Sequence, residues 1–249
     1  MSGARSKSDL DPAFLAALED GIAESRTHVE QMSISMSRLM SYSFPLVDPA
    51  GLDALPFIAR LREAGWRVAR TYGEGCASAE SSWISDTVRG WLAFAVSADP
   101  NRPIRETLTA LRPFARDHHF AVREWAWLAL RPRVVDDPDG ALEALLPFAT
   151  SADPFDRRFA LEATRPRSVW GQHIGLLKVE PQRGVRLLES TRCDPHPYVR
   201  TAAANWLNDV ARSRPDFVRE RARQWAACCP STDAILRRAT RNLGSTAQP

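Results

Sequence analysis

The residues with the clearest chemical potential lie together between positions 157 and 170. Glu162 is followed by Arg165 and Arg167, which flank Pro166, and Trp170 comes three residues later. Because a residue that precedes proline avoids the α region, we predict that a short helix ends here and leaves both arginines on a turn. Two guanidiniums near an indole, with a carboxylate one helical turn earlier, would suit a phosphate clamp beside a catalytic acid.

A second set of polar residues lies on a helix that is predicted from Val199 onward. Its apolar residues recur at helical spacing and form one stripe, which places Trp206 in the core. The opposite face carries four polar residues, Thr201, Asn205, Asn208 and Arg212. Asparagine is a mediocre helix former, so two asparagines on one face favour a face that contacts a partner. An ordinary solvated face is an equally good interpretation.

The elements that must position these groups are repeated along the chain. Four similar segments align on Arg89, Arg123, Arg157 and Arg200, which are separated by 34, 34 and 43 residues. Each segment follows a polar or proline-containing turn. Helix pairs of this period resemble HEAT repeats. In such repeats this arginine commonly pairs with an acidic residue of an inter-repeat turn, and we predict that role above all for Arg89 and Arg123.

The fold class that follows is all-α. No stretch alternates with a period of two, so we predict a HEAT-like repeat α-solenoid of antiparallel helix pairs with a concave basic groove. We expect a single domain over 1–249, with a flexible tail at 1–10, N-terminal helices over 11–82, HEAT-like repeats over 83–243 and a tail at 244–249. Within the N-terminal part, one or two helices are predicted from 12 to about 40. Another is predicted over 53–72 with an interruption at Gly65, followed by a small-residue loop over 73–82.

Composition and charge narrow the possible functions. The chain has 249 residues, of which 44% are hydrophobic and 25% charged. This composition is not that of an intrinsically disordered protein. The chain has no apolar run near the ~18 residues that span a bilayer and no secretory signal, so we expect a cytoplasmic protein without a membrane partner. We also expect a monomer. Residues 183–241 carry a net charge of +6 against −3 for residues 1–182, which favours a polyanionic partner. The alternative explanation of this positive charge is an excess of arginine in the overall composition, which requires no ligand.

The four cysteines form no recognisable metal or disulfide motif. They are Cys76, Cys193, Cys228 and Cys229, with no C-x-x-C pair. We therefore predict reduced, free thiols and no metal site, and we treat the C-x-x-H spacing of Cys193 and His196 as incidental.

Three segments resemble the AlkC/AlkD-type DNA alkylation repair glycosylases, and most closely the AlkC branch. Residues 156–170 read DRRFALEATRPRSVW, and the family pattern is V-R-R-L-A-S-E-G-T-R-P-R-L-P-W. The two strings align position by position, and the agreement begins at Arg157. Residues 198–211 read YVRTAAANWLNDVA, which is similar to Y-V-R-R-S-V-A-N-N-L-N-D-I-A. Residues 120–123 match a third segment, F-A-V-R, and weaker agreement extends through 21–24 and 30–32.

The resemblance implies a DNA glycosylase that cuts the N-glycosidic bond of alkylated, cationic purines such as 3-methyladenine and 7-methylguanine in double-stranded DNA. This would initiate base excision repair by an enzyme associated with the nucleoid. Such a base is already a good leaving group, so the enzyme needs little general-acid help with its departure. The remaining task is to stabilise the oxocarbenium-like sugar and to place a water, which a carboxylate can do. Neither a cofactor nor a metal is implied.

The residues of that activity are carried over only where the segments match. Glu162 is the first candidate for the carboxylate. Asp209 is the second, and a helix-end residue bonded to the backbone is an equally good interpretation of it. The candidates for DNA contacts are Arg158, Arg165, Arg167, Trp170, Arg200, Asn205, Asn208, Arg212, Arg123, Trp125 and Trp127.

One departure from the family pattern bears on the chemistry. The AlkC pattern has an acidic residue immediately before F-A-V-R, and this chain has His119 there. Leu161 and Ala163 also replace the serine and glycine of S-E-G. Three alternatives therefore stay open, namely a glycosylase specialised for bulky adducts, a catalytically inactive HEAT module that binds DNA or protein, and a protein scaffold.

Overall fold

A computed structural model of the chain describes residues 3–73, 83–226, 228–241 and 243. Every regular element in these ranges is helical, as the sequence predicts. The α-helices of the described residues are α1 (Pro12–Glu19), α2 (His28–Ser33), α3 (Met36–Ser43), α4 (Phe57–Tyr72), α5 (Asp86–Val96), α6 (Ile104–Ala115), α7 (Phe120–Asp136), α8 (Pro138–Ala149), α9 (Pro154–Ala163), α10 (Gly175–Val179), α11 (Val185–Thr191), α12 (Pro197–Ala211), α13 (Pro215–Trp225) and α14 (Pro230–Thr240).

Local sequence explains why these helices are short and sharply bounded. Proline occupies the first turn of α1, α8, α9, α12, α13 and α14, where its missing N–H costs nothing. Side-chain oxygens cap several helices, as when Asp153 accepts a hydrogen bond from the Phe155 N–H at the start of α9. None of the helices in the described ranges is long and apolar enough to cross a membrane.

Two compact units make up the chain. The first comprises Met1–Arg102 and Thr109–Ala129, and the second comprises Pro103–Leu108 and Leu130–Pro249. The single domain predicted over 1–249 stays a prediction. The predicted small-residue loop lies outside the described residues apart from Gly73, and so does the predicted tail at 244–249.

The first unit differs from the sequence prediction at its N-terminus. Three helices, α1 to α3, occupy the region predicted to hold one or two. The predicted flexible tail is fastened at Ala4, whose N–H donates to the Glu30 carboxylate at 3.0 Å and whose carbonyl accepts from the Thr27 hydroxyl at 2.8 Å. The Glu30 carboxylate is buried, and the sequence pattern did not associate it with residue 4.

Gly65 does not interrupt α4, contrary to the prediction. The helix runs unbroken from Phe57 to Tyr72, and Gly65 lies where it packs on α5. A Cβ atom at position 65 would lie 2.4 Å from the carbonyl oxygen of Trp91. The glycine therefore permits a close helix–helix approach, which a single sequence cannot distinguish from a helix break.

Gly90 has a similar role on α5, against the indole of Trp125. A Cβ atom at position 90 would lie 1.9 Å from Cε3 of Trp125. We expect Gly90→Ala to lower the free energy of unfolding by about 1–3 kcal/mol, because either the indole or the helix must move. Urea unfolding would measure this. Gly175→Ala is the matched control, since a Cβ there meets nothing within 4 Å, and an equal loss in both variants would contradict the account.

The second unit is organised around α12. Consecutive helices pack in the pairs α8 with α9, α11 with α12, and α13 with α14, and α12 also contacts α9 and α14. The predicted apolar stripe is confirmed, because Trp206 is fully buried. Helix α12 therefore brings its C-terminal polar residues against the end of α9.

The four repeated arginines share one structural role. Each donates from Nη1 to the carbonyl oxygens of the residues six and five positions before it, as Arg123 does to Asp117 and His118. Arg89 also pairs with Asp117 at 2.7 Å, and Arg157 with Asp194 at 2.5 Å. The predicted pairing with an acidic residue of an inter-repeat turn is thus confirmed for Arg89, and Arg157 forms a pair of the same kind.

Candidate functional site

Arg131 of α7 holds the backbone of the turn that follows α9. Its Nη1 donates to the carbonyl oxygen of Ala163 at 2.9 Å, Nη2 to that of Arg165 at 2.6 Å, and Nε to that of Gln172 at 2.8 Å. The side chain is buried, and burial lowers the pKa of Arg131 to about 10, with repulsion by Arg165 contributing. At neutral pH this guanidinium therefore stays charged and binds three carbonyl dipoles.

Two further bonds complete the frame of the turn. The indole Nε1 of Trp206 donates to the carbonyl oxygen of Thr164 at 3.0 Å, and the Ile174 N–H donates to that of Pro166 at 3.1 Å. All four carbonyls from 163 to 166 thus have donors, and the turn predicted around Pro166 is observed. A turn held in this way presents its side chains in a fixed direction.

Arg165 links the two predicted carboxylates. Its Nε lies 2.8 Å from Oδ2 of Asp209, and its Nη1 lies 3.2 Å from Oε2 of Glu162. Both acids are nearly buried, with 4% of Glu162 and 7% of Asp209 exposed. Burial acts to lower the pKa of Arg165, but attraction to Glu162 and the hydrogen bond to Asp209 outweigh it, so this pKa is raised.

Two more guanidiniums adjoin the pair. Nη2 of Arg158 lies 3.7 Å from Oε1 of Glu162, and its Cζ lies 4.1 Å from the ring centre of Tyr198. Nε of Arg167 donates to the backbone carbonyl of Asp209 at 3.1 Å. Together with Arg131 and Arg165, these make four cations around two carboxylates. The surplus positive charge favours an anionic ligand at this place.

The loop after the turn offers an aromatic surface beside these charges. Trp170 is 44% exposed and its neighbour Val169 is more exposed still. The Ser168 hydroxyl accepts from the N–H groups of Trp170 at 3.2 Å and Gly171 at 2.9 Å, which shapes the loop. Trp170 is thus the predicted aromatic contact whose ring a ligand can reach.

The other two predicted aromatic contacts are core residues. Trp125 is 3% exposed and rests on Gly90, while Trp127 is 4% exposed and donates from Nε1 to Glu124 at 2.8 Å. Their prediction as DNA contacts is therefore corrected. The hydrophobic packing of an indole in a repeat interior explains both.

The polar face of α12 is also partly covered. Nδ2 of Asn208 donates to the Ala239 carbonyl at 3.3 Å, and Oδ1 of Asn205 accepts from Nε of Arg238 at 3.0 Å. Both asparagines thus hold α14, so the predicted contact exists but is internal to the protein. Arg212, next along the same face, is exposed.

Arg123 and Arg200, also predicted as DNA contacts, serve the turns before α7 and α12. Nη1 of each is committed to two turn carbonyls. Their observed role is therefore structural, and we do not include them in the candidate site.

His119 caps α7 in place of a carboxylate. Its Nδ1 accepts from the Ala121 N–H at 3.3 Å, and its Nε2 donates to the carbonyl oxygen of Ser25 at 2.6 Å. The side chains of Asp153 and His196 accept in the same way at the starts of α9 and α12. The position of the family's acidic residue is thus used here to begin a helix.

Asp86 is a buried carboxylate near His119 that the sequence analysis did not single out. It accepts from the N–H and hydroxyl of Ser25 at 3.0 and 2.6 Å and from the Gln31 amide at 3.2 Å. Its Oδ2 lies 3.5 Å from Nδ1 of His119. These partners join residues about 60 positions apart, so they give Asp86 a structural role.

Comparison with known proteins gives one relative by sequence. No family model matches the chain. The chain is 34% identical over 138 residues to the uncharacterised protein YhaZ of Bacillus subtilis (strain 168), and the match covers 55% of this chain and 37% of that protein.

Solved structures give clearer similarity in fold. Pseudomonas fluorescens alkylpurine DNA glycosylase AlkC, bound to DNA containing an abasic site analog, matches with a TM-score of 0.69 at 20% identity, covering 92% of this chain and 64% of AlkC. AlkD2 from Streptococcus mutans matches with a TM-score of 0.63 at 18% identity, covering 83% of this chain and 96% of AlkD2. The chain thus spans less than two thirds of YhaZ and of AlkC. The described part of the chain has the all-α, HEAT-like repeat fold of AlkC and AlkD2.

Proposed function

We propose that the chain binds duplex DNA and hydrolyses the N-glycosidic bond of alkylated, cationic purines. The observation that carries this proposal is the pair of nearly buried carboxylates, Glu162 and Asp209, which Arg165 joins beside a turn of surplus positive charge. The similarity to a glycosylase solved with abasic-site DNA supports it. 3-Methyladenine and 7-methylguanine are the substrates we expect.

The chemistry assigned to Glu162 is electrostatic. A cationic base departs without prior protonation, and the sugar left behind develops positive charge at C1′. A carboxylate close to C1′ stabilises that charge and orients the attacking water. In the DNA-free chain Arg165 occupies one oxygen of Glu162. A DNA phosphate competes for this guanidinium, so DNA binding would free the carboxylate for the sugar.

Arg167 is the phosphate contact that we would test first. Its Nε bond to the Asp209 carbonyl fixes its direction, and the side chain is only partly buried. We expect Arg167→Gln to weaken duplex binding. The slope of the logarithm of the association constant against the logarithm of the salt concentration should also fall in magnitude by about 1. Fluorescence anisotropy across a salt series would measure both.

Arg186→Gln is the matched control for charge. Arg186 lies on α11 of the same unit and pairs with Glu143 at the surface. The Arg186→Gln variant should bind DNA with the same affinity as the unaltered protein. Equal losses in the two variants would mean that general charge, and not the turn at 165–167, attracts the DNA.

The catalytic half of the proposal is tested by abasic-site formation. The purified protein is incubated with methylated plasmid DNA, and strand breaks are counted after alkali treatment. Protein-dependent breaks in methylated DNA, and none in unmethylated DNA, are expected. Breaks in neither substrate, with DNA bound, would contradict the proposed hydrolysis of methylated purines.

A second candidate function is a DNA-binding module without catalysis. Two observations favour it, because Arg165 engages both carboxylates and His119 stands where the AlkC pattern has an acid. This module would bind duplex DNA in a salt-sensitive way and would release neither methylated bases nor bulky alkylated bases.

A further inference from the structure

Cys193 meets the adjacent cysteines Cys228 and Cys229, which are distant from it in sequence, beside α14. Cys193 lies in the turn before α12, and Cys228 and Cys229 lie in the turn before α14. The Sγ atoms of Cys193 and Cys228 are 3.7 Å apart, and Sγ of Cys229 lies 3.0 Å from the Thr232 hydroxyl. The sequence spacing predicted unrelated free thiols, so this proximity arises from the fold.

The two turns are already joined in the reduced protein. The hydroxyl of Thr232, which is fully buried, donates to the carbonyl oxygen of Arg192 at 3.1 Å. This bond holds the residue before Cys193 against the first turn of α14. The cysteines therefore meet on two turns whose separation is fixed by packing.

The two thiols lie at an accessible place beside the guanidinium of Arg192. Cys193 and Cys228 are both exposed to solvent. The pKa of Arg192 is raised, and attraction to Cys228 is the largest cause. The pKa of Cys229 is lowered, with a hydrogen bond from Cys193 as the largest cause, and the same contact raises the pKa of Cys193.

We propose that Cys193 and Cys228 form a reversible disulfide that fastens the turn before α12 to the turn before α14. Their sulfur atoms must approach from 3.7 Å to the ~2.05 Å of a disulfide. Rotation of two exposed side chains on turns can supply a movement of this size. The bond would secure α14, which the side chains of Asn205 and Asn208 also hold.

The reaction is a thiol–disulfide exchange with a small oxidised disulfide such as oxidised glutathione. The Cys228 thiolate attacks one sulfur of glutathione disulfide, forms a mixed disulfide and releases one glutathione thiolate. The Cys193 thiolate then attacks the Cys228 sulfur and releases the second. The protein gives up two protons and two electrons, and the small disulfide becomes two thiols.

The test is oxidation of the full chain by oxidised glutathione, followed by peptide mapping without reduction. We expect a linked peptide pair that contains Cys193 and Cys228. We also expect the melting temperature to rise by about 5 °C over the reduced protein, because the bond closes a loop between residues 35 positions apart. Dithiothreitol should reverse both changes.

Variants assign the pairing. Cys228→Ser and Cys193→Ser should each abolish the rise in melting temperature, whereas Cys229→Ser and Cys76→Ser should keep it. Circular dichroism under dithiothreitol would establish that each variant is folded. Glutathione adducts alone, a bond to Cys229, or a bond between two molecules would each overturn the proposal. None of these outcomes depends on the glycosylase activity.

Discussion

Glu162→Gln is expected to slow base release from methylated duplex DNA by at least about 100-fold. Glutamine has nearly the same shape and can still accept a hydrogen bond from Arg165, which lies 3.2 Å away. It lacks the negative charge that stabilises the sugar cation. Single-turnover release with all DNA bound would measure the chemical step, and the affinity for DNA should stay within about threefold of the unaltered protein.

Two controls separate this effect from a general change in charge. Glu143→Gln removes the same charge from an exposed residue of α8 and should leave base release unchanged. Asp209→Asn tests the second carboxylate. Unchanged release in Glu162→Gln would contradict the assignment of Glu162, and loss in Asp209→Asn alone would move the catalytic role to Asp209.

Arg131→Met is expected to lower the free energy of unfolding by about 3–5 kcal/mol. The substitution keeps most of the apolar stem but removes the donors from three carbonyls, those of Ala163, Arg165 and Gln172. Base release should also fall, because the turn that carries Arg165 loses its frame. Urea unfolding followed by far-UV circular dichroism would measure the stability.

The controls for Arg131 test the geometry of its hydrogen bonds. Arg131→Lys keeps the charge, but a single ammonium group cannot reproduce the planar fork, so only part of the stability should return. Arg212→Met, at an exposed position, should change stability by less than about 0.5 kcal/mol. A stability of Arg131→Met equal to that of the unaltered chain would contradict the account.

Local sequence features predicted much of this architecture. The apolar stripe of α12 placed Trp206 in the core, and Pro166 marked the turn that carries Arg165 and Arg167. The recurrence of Arg89 and Arg157 at the start of a helix resembles HEAT repeats, and this resemblance implied their bonds to turns. The first two follow from helical period and proline stereochemistry, which depend on neighbours in sequence.

Contacts between residues that are distant in sequence were not predicted. Asn205 and Asn208 were expected to face a ligand or solvent, but each forms a hydrogen bond to α14, which buries Asn208 and leaves Asn205 half-buried. Periodicity shows that a face is polar and does not show which element packs on it. Arg131 was missed for the same reason, since its three acceptors lie more than 30 residues away. A lone arginine after the apolar run at 125–130 was the available signal.

The most direct test of the central claim is the release of free bases from methylated duplex DNA by the unaltered protein and by Glu162→Gln, side by side. Free 3-methyladenine and 7-methylguanine would be separated from the DNA and quantified. The account predicts protein-dependent release of at least one of these bases, and loss of that release in the variant while DNA binding persists. DNA that is bound by the unaltered protein and keeps both methylated bases would contradict it.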